Sequence, residues 1–563
     1  MVAILLVATA ALSLWFRAAY PPLGIWAAAD DALFVRMAGQ IAAGGWLGPY
    51  DFLVLAKGAF FPAFVAFNKI IGLPLKITEH ILYLLVALFA ATTLARLTGQ
   101  RWLLPTAFLA LALSPTPWML EGGARVTREP LYQSLTVALY FLAALHFQNA
   151  GKKRWLGLVL GFVGGCYWLT REEGAWLLPT LVVLALPWLA EIRQGVRCQG
   201  MAGLRSAVTG LLVPVSAFLL VVLAVNSINF VAYGVFRNNE LRSGPFPEAY
   251  GALARIKHGE WRRYVVFPRE SRQWAYAASP AARELAPYLE GEMGKRWVAT
   301  SRGYPKPWGC ADDPQACGDE ILSGWFVWAL RDAVAAAGHH RSARDADAYY
   351  KRLADEINAA CASQAIPCRD PRATLAPVWR GHYPRDAVTA SGNVLLTLLY
   401  LNGGEVGIPP SSLTAEQAGI FQSVINSPVS GPAPSTMDAT VVSAPLDEAR
   451  ISLTRSFGAF YATASATLAI PALVSYFFLL LAWAGVKSAA VSGNTILMLT
   501  ALLVAVFSRV GLLGFLEATS LPSNNMLYLL PVVPIYFLFV VVSIGAGLVA
   551  IRHVARGGRP LAS

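Results

Sequence analysis

Asp30 and Asp31 stand side by side near the start of the chain. Downstream come Lys57 in the step Ala56-Lys57-Gly58, then Arg125 and Arg128 with Glu129, then Arg171-Glu172-Glu173, and finally Arg509 inside an apolar run. Two adjacent carboxylates repel, which raises the pKa of one and suits a general base. An aspartate at that point also suits a helix N-cap, accepting orphan N–H groups of the first turn. Lys57, directly before an apolar stretch, either snorkels to an interface or contacts a phosphate. Arg125-Val126-Thr127-Arg128 sets two guanidinium groups beside a hydroxyl, a pattern that suits a phosphate, although Arg128 and Glu129 would also satisfy a helix terminus. An arginine within a membrane span costs roughly 2.5 kcal/mol or more unless paired or hydrated. Glu517 lies two turns from Arg509, so a lipid phosphate or a carboxylate from another helix is the better partner.

The elements that must position these groups follow from composition. The chain has 563 residues, 56% hydrophobic and only 14% charged, with a mean hydropathy of +0.51. Soluble domains carry about 25% charged residues, so an ordinary soluble enzyme is excluded. Apolar runs of roughly 16 to 30 residues indicate a polytopic α-helical membrane protein. Their unbroken character excludes a β-barrel, whose strands alternate.

The net charge of +12 does not signal a nucleic-acid partner. Residues 237–455 hold 24 basic and 23 acidic side chains. The excess sits in five short polar segments, around 96–101, 152–154, 193–205, 487 and 552–559, with 12 basic residues and one acid, Glu191. Lysine and arginine accumulate in cytoplasmic loops. Placing those segments inside gives ten spans: 1–16, 77–96, 102–118, 130–148, 155–170, 174–190, 206–236, 457–485, 492–515 and 525–551. Both termini are then cytoplasmic. Three parts follow: an N-terminal membrane module (1–236) with a first outer loop at 17–76, an extracytoplasmic domain (237–456), and a C-terminal membrane module (457–563). The first span lacks the basic n-region and cleavage site of a signal peptide and reads as an uncleaved helix.

In this topology the acids of the membrane part fall almost entirely on the outer side, with Lys57, Arg125, Arg128 and Arg171 among them. The first outer loop contains an amphipathic segment from Asp30 to Ala43, with Leu33, Phe34, Met37 and Ile41 on one face, a pattern for an interfacial helix. Residues 59–72 read as a second helix on or in the outer surface. The domain 237–456 reads as mostly helical and as a lid over the membrane part; its clearest helices are at 324–337 and 342–362. Its aromatic residues Trp261, Trp308, Trp325, Trp328, Trp379 and Tyr383 suit either core packing or stacking on sugar rings.

Cys166 in a span and Cys198 in a cytoplasmic loop read as free thiols. Cys310, Cys317, Cys361 and Cys368 lie outside, where four cysteines suggest two disulfides. Pairing 310–317 and 361–368 is the simplest of three connectivities. The spacings of seven are wide for zinc, and His339 and His340 have no cysteine at ligand spacing.

A first span, an outer loop whose acidic pair opens an amphipathic helix (DDALFVRMAGQIAAGGWLGPY), and a Lys-Gly step before a second surface helix together resemble the GT-C class of integral-membrane glycosyltransferases. Protein O-mannosyltransferases and lipid A aminoarabinose transferases are examples. The match covers the first ~130 residues best. The Arg/Glu turn after span five and the proline-bearing last helix are also similar; Asp-Asp stands where some members have Asp-Glu. The resemblance implies an inverting transfer of a sugar from a polyprenyl-phosphate donor to a glycan, lipid or protein acceptor on the outer face of a bacterial inner membrane. It implies Asp30 as the general base with Asp31 as its partner or alternate, and Lys57, Arg125, Arg128, Arg171 and Arg509 around the donor phosphate. It assigns Glu129, Glu172 and Glu173 to sugar or acceptor hydroxyls. Some members of the class use a divalent metal ion and others do not. The absence of a Rossmann-type glycine loop agrees with a donor that is not a nucleotide sugar. A flippase for a lipid-linked glycan would show two related halves, and no repeat is visible. A non-catalytic assembly protein would tolerate replacement of Asp30.

Overall fold

The apolar runs fold into helices whose limits are set by charge, proline and glycine. The computed structural model describes residues 1–149, 151, 153–199, 201–259, 261–302, 320–431, 445–485 and 491–555. The N-terminal part contains α1 (Val2–Arg17), α2 (Asp31–Ala42), α3 (Phe60–Ile71), α4 (Leu75–Thr98), α5 (Leu103–Ala112), α6 (Glu129–Gln148), α7 (Arg154–Trp168), α8 (Leu178–Gln199) and α9 (Met201–Tyr233). A helical segment follows with α10 (Pro245–Ala254), α11 (Arg269–Ala278), α12 (Pro280–Glu284), α13 (Ala286–Leu289), α14 (Glu292–Arg302), α15 (Ser323–Ala336), α16 (Ala343–Ala362), α17 (Tyr383–Tyr400) and α18 (Ala415–Ile425). The chain then returns to long apolar helices: α19 (Pro445–Gly485), α20 (Gly493–Thr519), the short α21 (Met526–Leu529) and α22 (Val533–Ala555). Among the described residues there are no strands, only isolated bridges.

Among the described residues, seven stretches are long and apolar enough to cross a membrane: Leu75–Thr98, Glu129–Gln148, Gly174–Gln194, Val208–Tyr233, Leu446–Ala484, Gly493–Thr519 and Met526–His553. The expected spans 1–16, 102–118 and 155–170 coincide with shorter helices, of 16, 10 and 15 residues. A bilayer core needs about 20 helical residues. Pro115 and Pro117 explain one shortfall: α5 gives way there to a 3-10 turn and then a π-turn at Leu120–Ala124. Helices α7 and α9 approach closely along a glycine-rich face. A Cβ on Gly161 would lie 2.1 Å from the Pro214 carbonyl oxygen, so backbone packs on backbone, as small residues allow in membrane helix pairs.

The segment expected as one extracytoplasmic domain is built from two kinds of packing. Helices α10 to α16 enclose their own core, with Phe246, Tyr250, Phe326, Leu330, Leu353 and Ile357 at its centre. The 3.6-residue pattern of α16 is fully used, since Ala346, Tyr350, Leu353, Ile357 and Ala360 are all buried, and Ser342 caps the helix by accepting from the Asp345 N–H. Helices α17 and α18 instead join the core of the membrane helices through Val394, Leu398, Phe421, Val424 and Ile425. Gly514 of α20 meets Ser391 of α17 so closely that a Cβ there would fall 2.0 Å from the serine Oγ.

Helix α2 departs from the interfacial expectation. Leu33 and Met37 pack with Leu53, Val54 and Leu55 of the following loop, Phe34 stands edge-on to Phe61 at 5.1 Å, and α18 packs across α2 and α3. Its apolar face is therefore covered by protein rather than lipid, and the covering helix lies nearly 400 residues later. On α3, by contrast, Phe67, Ile70 and Ile71 are exposed, leaving an apolar face for a membrane surface.

Cys361 and Cys368 form a disulfide, and Cys166 and Cys198 are free thiols. Cys310, Cys317 and Trp308 lie outside the described residues.

Candidate active site

Asp30 occupies the N-cap position of α2, yet its side chain makes no capping hydrogen bond. It turns instead to Lys57, whose Nζ donates to Oδ1 at 2.9 Å. Oδ2 accepts no hydrogen bond from the described residues. Asp31, the first helical residue, points the other way. Both its oxygens are taken by Arg125, at 2.5 Å from Nη2 and 3.3 Å from Nε. The two carboxyl groups therefore differ sharply in exposure, 46% for Asp30 and 0% for Asp31.

Their electrostatics divide in the same way. Burial pushes Asp30 upward, but Lys57, Arg128 and Arg125 outweigh it and hold the carboxyl below its ordinary range. Burial pushes Asp31 up to about 6 against the pull of Arg125, with the Asp30 charge adding to the rise. The repulsion expected of an acidic pair thus appears on the buried member, and the accessible member stays ionised.

Lys57 is placed by its neighbour. A Cβ on Gly58 would lie 1.9 Å from the Leu169 carbonyl oxygen, and the Phe60 N–H donates to that same oxygen at 3.3 Å. Only glycine lets the loop lie this close to the turn that follows α7. That turn, residues 169–173, carries the other half of the site. Arg128 donates to the Thr170 carbonyl at 3.1 Å and to Glu172 at 2.8 Å. Arg171 pairs with Glu129 and, at 2.7 Å, with Glu173. Arg509 reaches in from α20, 3.4 Å from Glu173, and donates to the Tyr528 carbonyl at 3.0 and 2.7 Å. Burial alone would raise Glu172 and Glu173, but Arg128 for the first and Arg171 for the second pull both below their usual values.

All ten residues singled out by type and spacing therefore converge into one network of five acids and five bases. Their accessibility is graded. Lys57 and Arg125 keep 10% and 15% of their side-chain surface exposed, whereas Arg128, Arg171 and Arg509 form a buried wall. Within that wall Thr127 Oγ1, Glu129 Oε2, Arg171 Nε and Arg509 Nη1 are buried with no hydrogen-bond partner among the described residues.

Three participants, Asn239, Arg242 and Arg331, were not singled out in the sequence, and Trp328 joins them from the aromatic set of the 237–456 segment. Asn239 donates to the Ala56 carbonyl at 3.2 Å and to Glu172 at 3.3 Å, joining the two halves. Arg242 donates to the carbonyls of Trp168, Arg171 and Glu172 and lies 4.1 Å over the Trp168 ring. Trp328 of α15 sits 5.2 Å from Lys57 Nζ, and Arg331 of the same helix donates to the Phe52 carbonyl and pairs with Glu240 at 2.7 Å. Asn239, Glu240 and Arg242 follow α9 directly, and that cluster of polar residues at a span end is the signal available in the sequence.

Among the described residues the network presents no open donor set for a divalent ion. Each carboxylate of the network is engaged by lysine or arginine, and no group of three His, Cys, Asp or Glu side chains is assembled among the described residues. An apolar cavity of about 400 Å3 lies beside the same turn, between α6, α7, α8 and α9, lined by Leu139, Phe147, Leu160, Tyr167, Leu181 and Phe218.

No protein-family model matches the sequence, and no curated protein does. Among solved structures, the chain is similar to ArnT from Cupriavidus metallidurans in the apo state, at 16% identity over 94% of this chain and 77% of that one, with a TM-score of 0.27. A likeness at that level carries no argument about this protein's activity.

Proposed function

We propose that the protein is an inverting glycosyltransferase of the GT-C type, taking a sugar from a polyprenyl-phosphate donor and passing it to an acceptor on the outer face of a bacterial inner membrane. In this reading all ten apolar helices cross or enter the membrane, both termini are cytoplasmic, and α10 to α16 stand outside. The observation that carries the reading is Asp30: an ionised, accessible carboxylate with one free oxygen, beside two accessible cations, at the end of an apolar bundle.

The chemistry follows from that placement. The acceptor hydroxyl oxygen bonds to the anomeric carbon from the face opposite the phosphate. The carbon–oxygen bond to the phosphate breaks, and the phosphate leaves with the electron pair. The hydroxyl proton passes to Asp30 Oδ2. Lys57 and Arg125, with Arg128 beneath them, take the charge that grows on the phosphate, a preorganised stabilisation of the kind that usually dominates catalysis. As Lys57 turns toward the phosphate, Asp30 loses its counter-ion and becomes a stronger base at the moment it must accept a proton. Arg171 and Arg509 hold the 169–173 turn, and Glu172 and Glu173 at its rim bind sugar or acceptor hydroxyls. The apolar cavity between α6 and α9 supports a donor with a long hydrocarbon tail.

Native mass spectrometry of the protein released from detergent tests this directly. The expected result is a co-purified polyprenyl phosphate or its glycosylated form, which then serves as donor in a transfer assay. Asp30→Asn is expected to bind the same lipid and to lose transfer by roughly 100- to 10,000-fold. A folded Asp30→Asn protein with full activity, or a wild-type protein carrying only ordinary phospholipids and inert toward polyprenyl-phosphate sugars, overturns the reading.

A further inference from the structure

A second polar cleft opens where the 237–456 segment meets the outer end of α20. Arg262, Arg369 and Arg380 line it together with His258, Trp261 and Tyr383, and Thr519, the last residue of α20, closes one side. Elsewhere in this segment, three buried arginines have carboxylate partners, Arg237 with Asp347, Arg272 with Glu290 at 2.5 Å and Arg331 with Glu240 at 2.7 Å, while Arg242 and Arg255 are satisfied by carbonyl and amide oxygens. The three arginines of the cleft make no ion pair among the described residues. Arg380 Nε is buried and has no hydrogen-bond partner there, and neither has Nε of neighbouring Arg372. The nearby carboxylates belong elsewhere, Glu517 to Arg263 at 3.5 Å and Asp386 near His382 at 4.0 Å. Burial holds Arg369 below its ordinary value and the Arg380 charge adds to that, while Arg372 is lowered by burial and by Arg369. Like charges have been gathered without an ion-pair partner among the described residues.

The walls are aromatic. Trp261 stands edge-on to His382 at 4.6 Å and to Tyr383 at 6.3 Å, and Trp379 meets Tyr383 at 6.1 Å. Trp379, between the lining residues Val378 and Arg380, is 64% exposed. An indole offers a flat apolar face, and the C–H face of a pyranose is a complementary surface. The cleft itself encloses about 30 Å3, room for a small charged group, so sugar rings would lie along its mouth. Thr519 and Arg509 lie ten residues apart on α20, about 15 Å along the helix axis, so the cleft and the ionic network share one supporting element.

We propose that this cleft binds an anionic saccharide, with its phosphate or carboxylate on the arginines and its rings against Trp261 and Trp379. Resting on the glycosyltransferase reading, the bound saccharide is part of the acceptor.

The test is calorimetric titration of the full-length protein in phosphatidylcholine nanodiscs, with no donor present. The probes are tetragalacturonate and neutral maltotetraose. Tetragalacturonate is expected to bind, and maltotetraose at least tenfold more weakly. R369Q/R380Q should weaken tetragalacturonate at least tenfold. W379A, at an exposed position that leaves the fold intact, should weaken it several-fold. Equal affinity for the two probes overturns the proposal, as does unchanged affinity in both variants. Loss of binding when phosphatidylglycerol is added to the nanodiscs would assign the cleft to lipid headgroups and overturn it too. Asp30→Asn should bind tetragalacturonate normally, so a failure here is separate from a failure of the transfer reading.

Discussion

Asp30 and Asp31 are bonded neighbours that face opposite environments: Asp31 gives both oxygens to Arg125 in the protein interior, while Asp30 gives one to Lys57 and leaves the other exposed. The helix start produces this split. As the N-cap, Asp30 lies outside the helical turn, whereas Asp31 is carried inward with the buried face of α2. A single acidic pair thus supplies one accessible carboxylate and one anchor.

The anchor should show itself in the pH dependence of stability. Asp31 holds its proton up to about pH 6 in the folded protein, against about 3.9 in an unfolded chain. Between those values the folded state binds more protons, so stability falls as pH rises from 4 to 6 and levels off above. Asp30, held below its ordinary value, acts oppositely, and its contribution is lost only as pH falls below that value. For fully buried Asp31 the effect is on the order of 3 kcal/mol. Thermal melts at pH 4, 5, 6 and 7 should show this decline in the wild type. Asp31→Asn should flatten it; an identical slope in the variant would remove Asp31 as its source.

Gly58 makes a steric prediction. Its Cβ position is occupied by the Leu169 carbonyl, so Gly58→Ala must lift the Lys57 loop from the 169–173 turn and part Lys57 from Asp30. Activity should drop at least tenfold, with a loss of about 1–3 kcal/mol from overpacking. Gly44→Ala is the control. That residue has φ +86 and open space around its Cβ position, so it should cost up to about 1 kcal/mol and leave activity intact. Equal activity in both variants would show that the close approach does not matter.

Much of this arrangement was legible because charge stands out in an apolar chain. Asp30, Asp31, Lys57, Arg125, Arg128, Arg171 and Arg509 could be found by type and place alone. Who pairs with whom could not, since the partners of Arg171 and Arg509 come from helices far apart in sequence. The apolar face of α2 reads equally well as lipid-facing or protein-facing, because its cover, α18, lies in a distant segment. Helix α17 lies in the segment that reads as an outer domain, and only the fold shows Val394 and Leu398 packing with the long apolar helices. Arg242 stands in the polar cluster after α9, but its acceptors, the carbonyls of the 168–172 turn, lie some 70 residues earlier and are not legible locally.

Arg242 should nevertheless matter. Its guanidinium bonds three consecutive-turn carbonyls, of Trp168, Arg171 and Glu172, while stacked on Trp168. Three fixed acceptors require a planar fork, which lysine lacks. Arg242→Gln should loosen the turn that carries Arg171, Glu172 and Glu173, lowering kcat by at least tenfold while leaving the Asp30 side of the site in place. Arg242→Lys should fail to rescue it. Full rescue by lysine would mean that only charge is needed.

The disulfide gives a prediction that links stability to the second cleft. Cys361 ends α16, and Cys368 lies in a bridge with Ile256, where the Lys257 N–H donates to the Pro367 carbonyl at 2.8 Å and the Arg369 N–H to the Arg255 carbonyl at 2.9 Å. The bond therefore pins the short run that presents Arg369. Closing so small a loop is worth about 2.5 kcal/mol in the chain-entropy account. C361S/C368S should lower the melting temperature of the α10–α16 core and make that transition insensitive to reductant. It should also weaken tetragalacturonate binding, because Arg369 follows Cys368 directly and loses its fixed backbone. Transfer chemistry at Asp30 uses none of these contacts, so with a small neutral acceptor the variant should keep wild-type kcat. A variant that loses kcat and keeps saccharide binding would reverse the division of labour between the two sites.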